Sequence, residues 1–159
     1  MKVEPQPEHH WLHKLVGSWE SEMECKMGPD QPPTKTQGTE VVRSLGGLWT
    51  VGEGECQMPE GGTGRTIMSL GYDPATERFV GSFIASMMTH QWQYRGSLDA
   101  GGTVLTLDTE GPSMTGDGLS KYQDMIEFVT DDHRTLRSQI LGADGVWVPF
   151  MKADYRRKT

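Results

Sequence analysis

His90, Trp92 and Tyr94 stand two residues apart in a run that reads as a β-strand, so all three share one face. Turned inward, that face presents an imidazole, an indole N–H and a phenol to one wall. Such groups fix the polar end of an apolar ligand. The plainer alternative makes His90 a turn residue at the strand start and gives Trp92 and Tyr94 to core packing. Tyr122 shares a face with Asp124, Ile126 and Phe128, which can carry it to the same cavity. Glu53, between Gly52 and Gly54, shares a face with Trp49 and Val51. Inward it would put a carboxylate into the cavity; outward it is one more solvated charge. Of ten methionines, Met23, Met27, Met68, Met87, Met88, Met125 and Met151 fall in strand-like runs. A thioether is flexible and polarisable and adapts to irregular apolar shapes, whether as a ligand cavity or as gap filling in a core. The expected ligand-binding set is therefore His90, Trp92, Tyr94, Tyr122, Trp49, Glu53, Met23, Met68, Met87 and Met151.

Other chemistries are less well provided for. His9 and His13 have the i, i+4 spacing that can bind zinc on a helix, but no third ligand is assignable beyond Glu8. Solvated histidines on a surface helix are the reading adopted, and no metal or resident cofactor is expected. A haem-binding barrel would need an axial histidine, and His90 is the choice for it. A small barrel enzyme using His90 as general acid or base, with Glu53 beside it, is a further alternative. The chain has no Gly-x-Ser-x-Gly elbow, no GxxxxGK[ST] loop, no His-Glu-x-x-His and no GxGxxG opening a helix. Gly61-Gly62-Thr63-Gly64 has no helix after it and reads as a hairpin loop.

These residues have to be positioned by strands. The 159 residues are enough for one domain with a real core. Twenty glycines, nine prolines and few alanines disfavour a helical bundle and point to a turn-rich β domain. Residues 1–8 hold two prolines and read as a flexible arm before a single domain over 9–159. Trp11, Leu12, Leu15 and Val16 fall on one face of a short helix over 9–16, which Gly17 ends. From Trp19 the period changes to two. Trp19, Ser21, Met23, Cys25 and Met27 alternate with Glu20, Glu22, Glu24 and Lys26, so Trp19, Met23 and Cys25 should face the core and the glutamates water. Strand-like runs recur over 38–45, 48–56, 65–72, 78–88, 91–98, 103–109, 120–130, 136–141 and 146–157, each bounded by turn residues. About ten antiparallel strands joined by short loops make a meander, and closure removes its exposed edges. The fold class is therefore all-β: an antiparallel up-and-down β-barrel of about ten strands with a short N-terminal helix. A β-sandwich is the alternative.

Charge and composition bound the partners. Fifteen basic against 22 acidic side chains leave −7, a poor balance for duplex nucleic acid or an anionic membrane surface. No run approaches the roughly 18 apolar residues of a membrane span. Met1 to Pro7 lacks the apolar run of a signal peptide, so a cytoplasmic location is expected. Cys25 and Cys56 are not spaced as CxxC and are read as two free thiols. A homodimer is left open.

Gly17-Ser18-Trp19, at the junction of helix and first strand, resembles the opening of lipocalins and fatty-acid-binding proteins, the calycins. That resemblance implies a tryptophan closing the barrel floor with an arginine of the last strand packed on it, here Arg157 against Trp19. A wider pattern is His10-x-x-x-x-Leu15-x-Gly17-x-Trp19, Leu45-Gly46-Gly47, Gly71-Tyr72-Asp73, Arg95-Gly96-Ser97-Leu98-Asp99 and Tyr155-x-Arg157-Lys158. It spans almost the whole chain and resembles the bacterial domain-of-unknown-function family fifteen-seventy-nine (DUF1579). The resemblance implies a lipocalin-like barrel and supplies neither an activity nor catalytic residues. The combined expectation is a non-catalytic barrel that binds a small apolar or amphipathic molecule, with Gly17, Trp19 and Arg157 structural.

Overall fold

The computed structural model describes residues 2–26 and 30–158. It contains helix α1 (Pro7–His13) and ten strands: β1 (Gly17–Cys25), β2 (Thr34–Leu45), β3 (Trp49–Gln57), β4 (Thr63–Asp73), β5 (Arg78–Ala85), β6 (Trp92–Leu98), β7 (Val104–Pro112), β8 (Leu119–Thr130), β9 (His133–Leu141) and β10 (Trp147–Arg157). Each strand pairs antiparallel with its neighbours in sequence, and β1 pairs with β10 to close the barrel. The alternation read in β1 holds. Trp19 is buried, Met23 and Cys25 are half-buried, and Glu20, Glu22 and Glu24 are exposed. Met27, read as continuing this strand, lies outside the described residues. No helix among the described residues is long and apolar enough to cross a membrane.

Several boundaries differ from the sequence reading. The helix begins at Pro7, inside the stretch read as an arm, because proline's fixed φ suits a first helical position. The Gln6 backbone N–H donates to Nδ1 of His9 at 2.9 Å, and the His9 imidazole donates through Nε2 to the Tyr72 carbonyl at 3.1 Å. His9 is thus a buried, fully engaged side chain. It is not the solvated histidine, nor the zinc ligand, that its spacing to His13 suggested. Strand β2 starts four residues early, since Thr34 to Gln37 complete the ladder to Cys25 through Glu22. Strand β5 ends at Ala85, where the Met88 N–H bonds back to the Ala85 carbonyl in a turn.

The barrel is packed at one end only. Trp11, Leu12 and Leu15 enter from α1 and its C-terminal turn and meet Phe79, Leu70, Leu105, Leu107 and Ile126. Trp11 donates its indole N–H to the Gly102 carbonyl at 2.7 Å and stands edge-on to Phe128. Trp19 has no exposed surface and donates to the Leu15 carbonyl at 2.8 Å. The Arg157 guanidinium lies 4.2 Å from its ring centroid and that of Arg134 lies 4.6 Å away. Arg157 also donates to the carbonyls of Val16, Lys14 and Asp131, joining the entry of β1 to the turn between β8 and β9. Gly17 has φ +138°, and a Cβ there would stand 2.4 Å from Nη1 of Arg157. Only glycine both takes this conformation readily and leaves room for the guanidinium.

At the same end, Asp99 holds the hairpin between β6 and β7. Its carboxylate accepts from the backbone N–H groups of Thr103 at 2.8 Å and Val104 at 3.2 Å. These bonds, the one from Val104 foremost, hold its carboxyl below the ordinary 3.8. A depressed folded pKa contributes stability above the unfolded value that is lost as pH falls through the folded one. Asp99→Asn keeps an acceptor but does not titrate. The wild type should therefore melt above the variant near neutral pH and lose that advantage as the pH falls below the ordinary carboxylate range. A gap unchanged down to the most acid pH would remove the assignment.

Candidate functional site

The opposite end of the barrel is hollow. A cavity of about 640 Å³ opens between the loops that follow β5 and β7. Two depressions of comparable volume lie along β1, β2, β3 and β10, with outward side chains such as Glu22, Gln37 and Asp154 in their lining.

The cavity is layered. Met87, Met88, Met114 and His90 ring its mouth. Below them Met23, Met68, Met151 and Phe83 share the wall with an aromatic row. In that row His90 meets Trp92 with ring centroids 4.7 Å apart, Trp92 meets Tyr122 at 4.9 Å, and Tyr122 meets Phe150 at 6.0 Å, all edge to face. Such contacts are worth about 0.5–1.5 kcal/mol each beyond burial and hold the rings in place. Gly111 permits the row, because a Cβ there would stand 2.2 Å from the Trp92 ring. The Tyr122 hydroxyl donates to the Pro112 carbonyl at 2.5 Å, tying the wall to the start of the loop after β7.

The deepest layer is polar. The register pairs Asp124 of β8 with Ser138 of β9, and the Tyr94 side chain reaches them from β6, beyond β7. Tyr94 donates to one carboxylate oxygen of Asp124 at 2.5 Å and Ser138 to the other at 2.5 Å. Burial raises the carboxyl of Asp124, while the hydroxyls of Ser138 and Tyr94 draw it back down. Burial, then the neighbouring Asp124 charge, raises the Tyr94 phenol well above its ordinary value, so it stays a donor. Beside this triad Arg134 is ion-paired with Glu40. Its guanidinium lies 4.0 Å from the Tyr155 ring centroid as well as against Trp19.

Eight residues read from the sequence thus meet at this cavity: His90, Trp92, Tyr94, Tyr122, Met23, Met68, Met87 and Met151. Trp49 and Glu53 do not. Both lie on the outer face of β3, Trp49 over Gly71 and Glu53 paired with Arg43 at 2.8 Å. The inner face of β3 is instead Thr50, Gly52, Gly54 and Cys56. Gly52 leaves the space that the Glu40 carboxylate fills, since a Cβ there would stand 2.9 Å from its Oε2. Asp124, Ser138, Arg134 and Glu40 were missed as site residues. A signal existed for Asp124, which shares its face with Tyr122 and Ile126, and for Arg134, which shares its face with Leu136.

The fold and site together define a closed antiparallel barrel, lipocalin-like in build, with a plugged floor and one open cavity. The chain belongs to the family described as protein of unknown function (DUF1579), whose model matches residues 4–157. None of the curated proteins matches it. Among solved structures it is similar to Rv2717c from M. tuberculosis, at 14% identity and TM-score 0.67, covering 98% of this chain and 100% of that one. It is also similar to the S-type phycobiliprotein lyase CPES from Guillardia theta, at 18% identity and TM-score 0.61, covering 98% and 99%. A third is EF1p2_mFAP2b bound to DFHBI, at 11% identity and TM-score 0.51, covering 94% and 98%. At these identities the likeness is one of fold.

Proposed function

We propose that this protein binds a small, mainly apolar molecule inside the barrel and performs no catalysis. The observation that carries this reading is a cavity of about 640 Å³ with methionine and aromatic walls above a polar floor, in a barrel otherwise packed at the far end. Ligand sites are concave, largely apolar and furnished with a few placed polar groups, and volumes of several hundred cubic ångströms are typical. Barrels of this architecture accept such guests, as the neighbour bound to DFHBI illustrates. Met23, Met68, Met87 and Met151 supply adaptable contact, and Trp92, Tyr94 and Tyr122 supply rigid walls. His90 serves as wall, not as ligand or base. Its Nε2 is engaged with the Glu110 carbonyl at 3.0 Å, and its ring packs on Trp92.

The test is occupancy. The purified protein compared by native and denaturing mass spectrometry should show a retained small molecule, or take up 1-decanol on titration, with no Soret band. Met68→Trp fills the middle of the cavity and should weaken decanol binding by about tenfold or more while the strand signal in circular dichroism is unchanged. Undiminished binding by a folded Met68→Trp protein would place the guest elsewhere, and a Soret band would restore the haem reading.

A further inference from the structure

Building on the binding reading, we infer that the guest is an amphipathic cation, an apolar body carrying an ammonium-like head, and that Asp124 receives the head. A carboxylate offers about four lone-pair positions. Those of Asp124 accept from Tyr94 on one oxygen and Ser138 on the other, which leaves acceptor capacity facing the cavity it lines. Among the described residues, no cation is paired with it. The guanidinium nearest in the cavity wall, that of Arg134, is only 4% exposed, bonded to Glu40 and stacked on two rings. Its charge is therefore matched by Glu40, while its buried Nε has no hydrogen-bond partner. Counting the deep layer, Glu40 and Arg134 cancel, so an ionised Asp124 gives the floor one uncompensated negative charge, which burial disfavours until a cation meets it. Above it stand the rings of Trp92, Tyr94 and Tyr122, whose faces attract a cation and give an anion nothing. The whole-chain charge of −7 draws cations to the mouth as well. The remaining charged or titratable side chains on the cavity wall, Glu55, Cys56, His90 and Tyr155, supply no counter-charge to an anion at the floor: Glu55 is acidic and exposed, His90 sits at the mouth, and a thiol and a phenol carry no positive charge. A fatty acid would bring its carboxylate against Asp124 and leave both charges desolvated, which is costly. An amine completes the site with a charge-assisted hydrogen bond.

Three probes of one chain length separate the possibilities: decylamine, 1-decanol and decanoate, each titrated calorimetrically into the full chain below its aggregation concentration. Decylamine should bind about tenfold or more tightly than decanol, and decanoate most weakly. Asp124→Asn should abolish the preference for the amine over decanol. The wild-type comparison stands even if that variant does not fold. Equal binding of all three, or preference for decanoate, overturns the inference while the binding reading survives. Failure of all three to bind overturns the binding reading and this inference with it.

Discussion

Trp19→Ala is expected to destabilise the protein by about 3–5 kcal/mol, the range for large aromatic side chains cut from a core. That is a large part of the 5–15 kcal/mol typical of a native domain. The side chain has no exposed surface, so little of the space can be filled by water or by relaxation. Its removal also orphans the Leu15 carbonyl that accepts its indole N–H, and strips two guanidinium groups of their ring. Arg157→Ala should cost less, because Arg157 is partly exposed and the carbonyls it serves can turn to solvent. The two losses should not add. Once the ring is gone, Arg157 has lost its cation–π partner, worth about 0.5–2 kcal/mol. Urea unfolding of the two single variants and the double variant measures this. Additive losses would dissolve the pairing, and a loss below about 1 kcal/mol for Trp19→Ala would mean that the plug is not the centre of the fold.

The barrel was legible because strand alternation, turn residues and the absence of helix signals after Gly17 all agree. A one-residue slip in β1 would bury Glu20, Glu22 and Glu24, so its register is strongly specified. The site was less legible, for a physical reason visible in β3. There the bulky residues, Trp49 and Val51, face outward and the inner face is Gly52 and Gly54. Size alone therefore points the wrong way where a hollow barrel needs small inward residues. Trp49 finds its apolar surface on the outside, over Gly71. Val41 and Val42 pose the same ambiguity in β2, since either face of the strand is apolar at that point. The register makes Val42 buried and with it turns Glu40 inward, and nothing in the chain shows that Arg134, 94 residues away, meets it. Long-range polar pairs of this kind are invisible to periodicity.

The Glu40–Arg134 pair carries the second large effect. Glu40→Gln should destabilise the fold by about 3–5 kcal/mol, because it leaves a guanidinium buried without its counter-charge. The side chains are 14% and 4% exposed, so solvent cannot take over the role of Glu40. Arg134→Met should cost a similar amount, stranding Glu40 beside Gly52 and removing the contacts to Tyr155 and Trp19. Replacing both, as Glu40→Gln with Arg134→Met, should recover much of either loss, since the penalty lies in breaking the pair and not in lacking it. Urea unfolding of this cycle should therefore show a favourable coupling between the two sites. A Glu40→Gln protein within about 1 kcal/mol of wild type would show that the charge is not desolvated. The variant also bears on the ligand. With Glu40 neutral, Arg134 and Asp124 cancel and the uncompensated negative charge of the cavity floor disappears. Folded Glu40→Gln protein should then lose most of its discrimination between decylamine and decanoate, by the opposite route to Asp124→Asn: a cation is released, not an anion removed. Were the amine preference to survive Glu40→Gln undiminished, Asp124 alone would set it and Arg134 would take no part in the charge of the cavity.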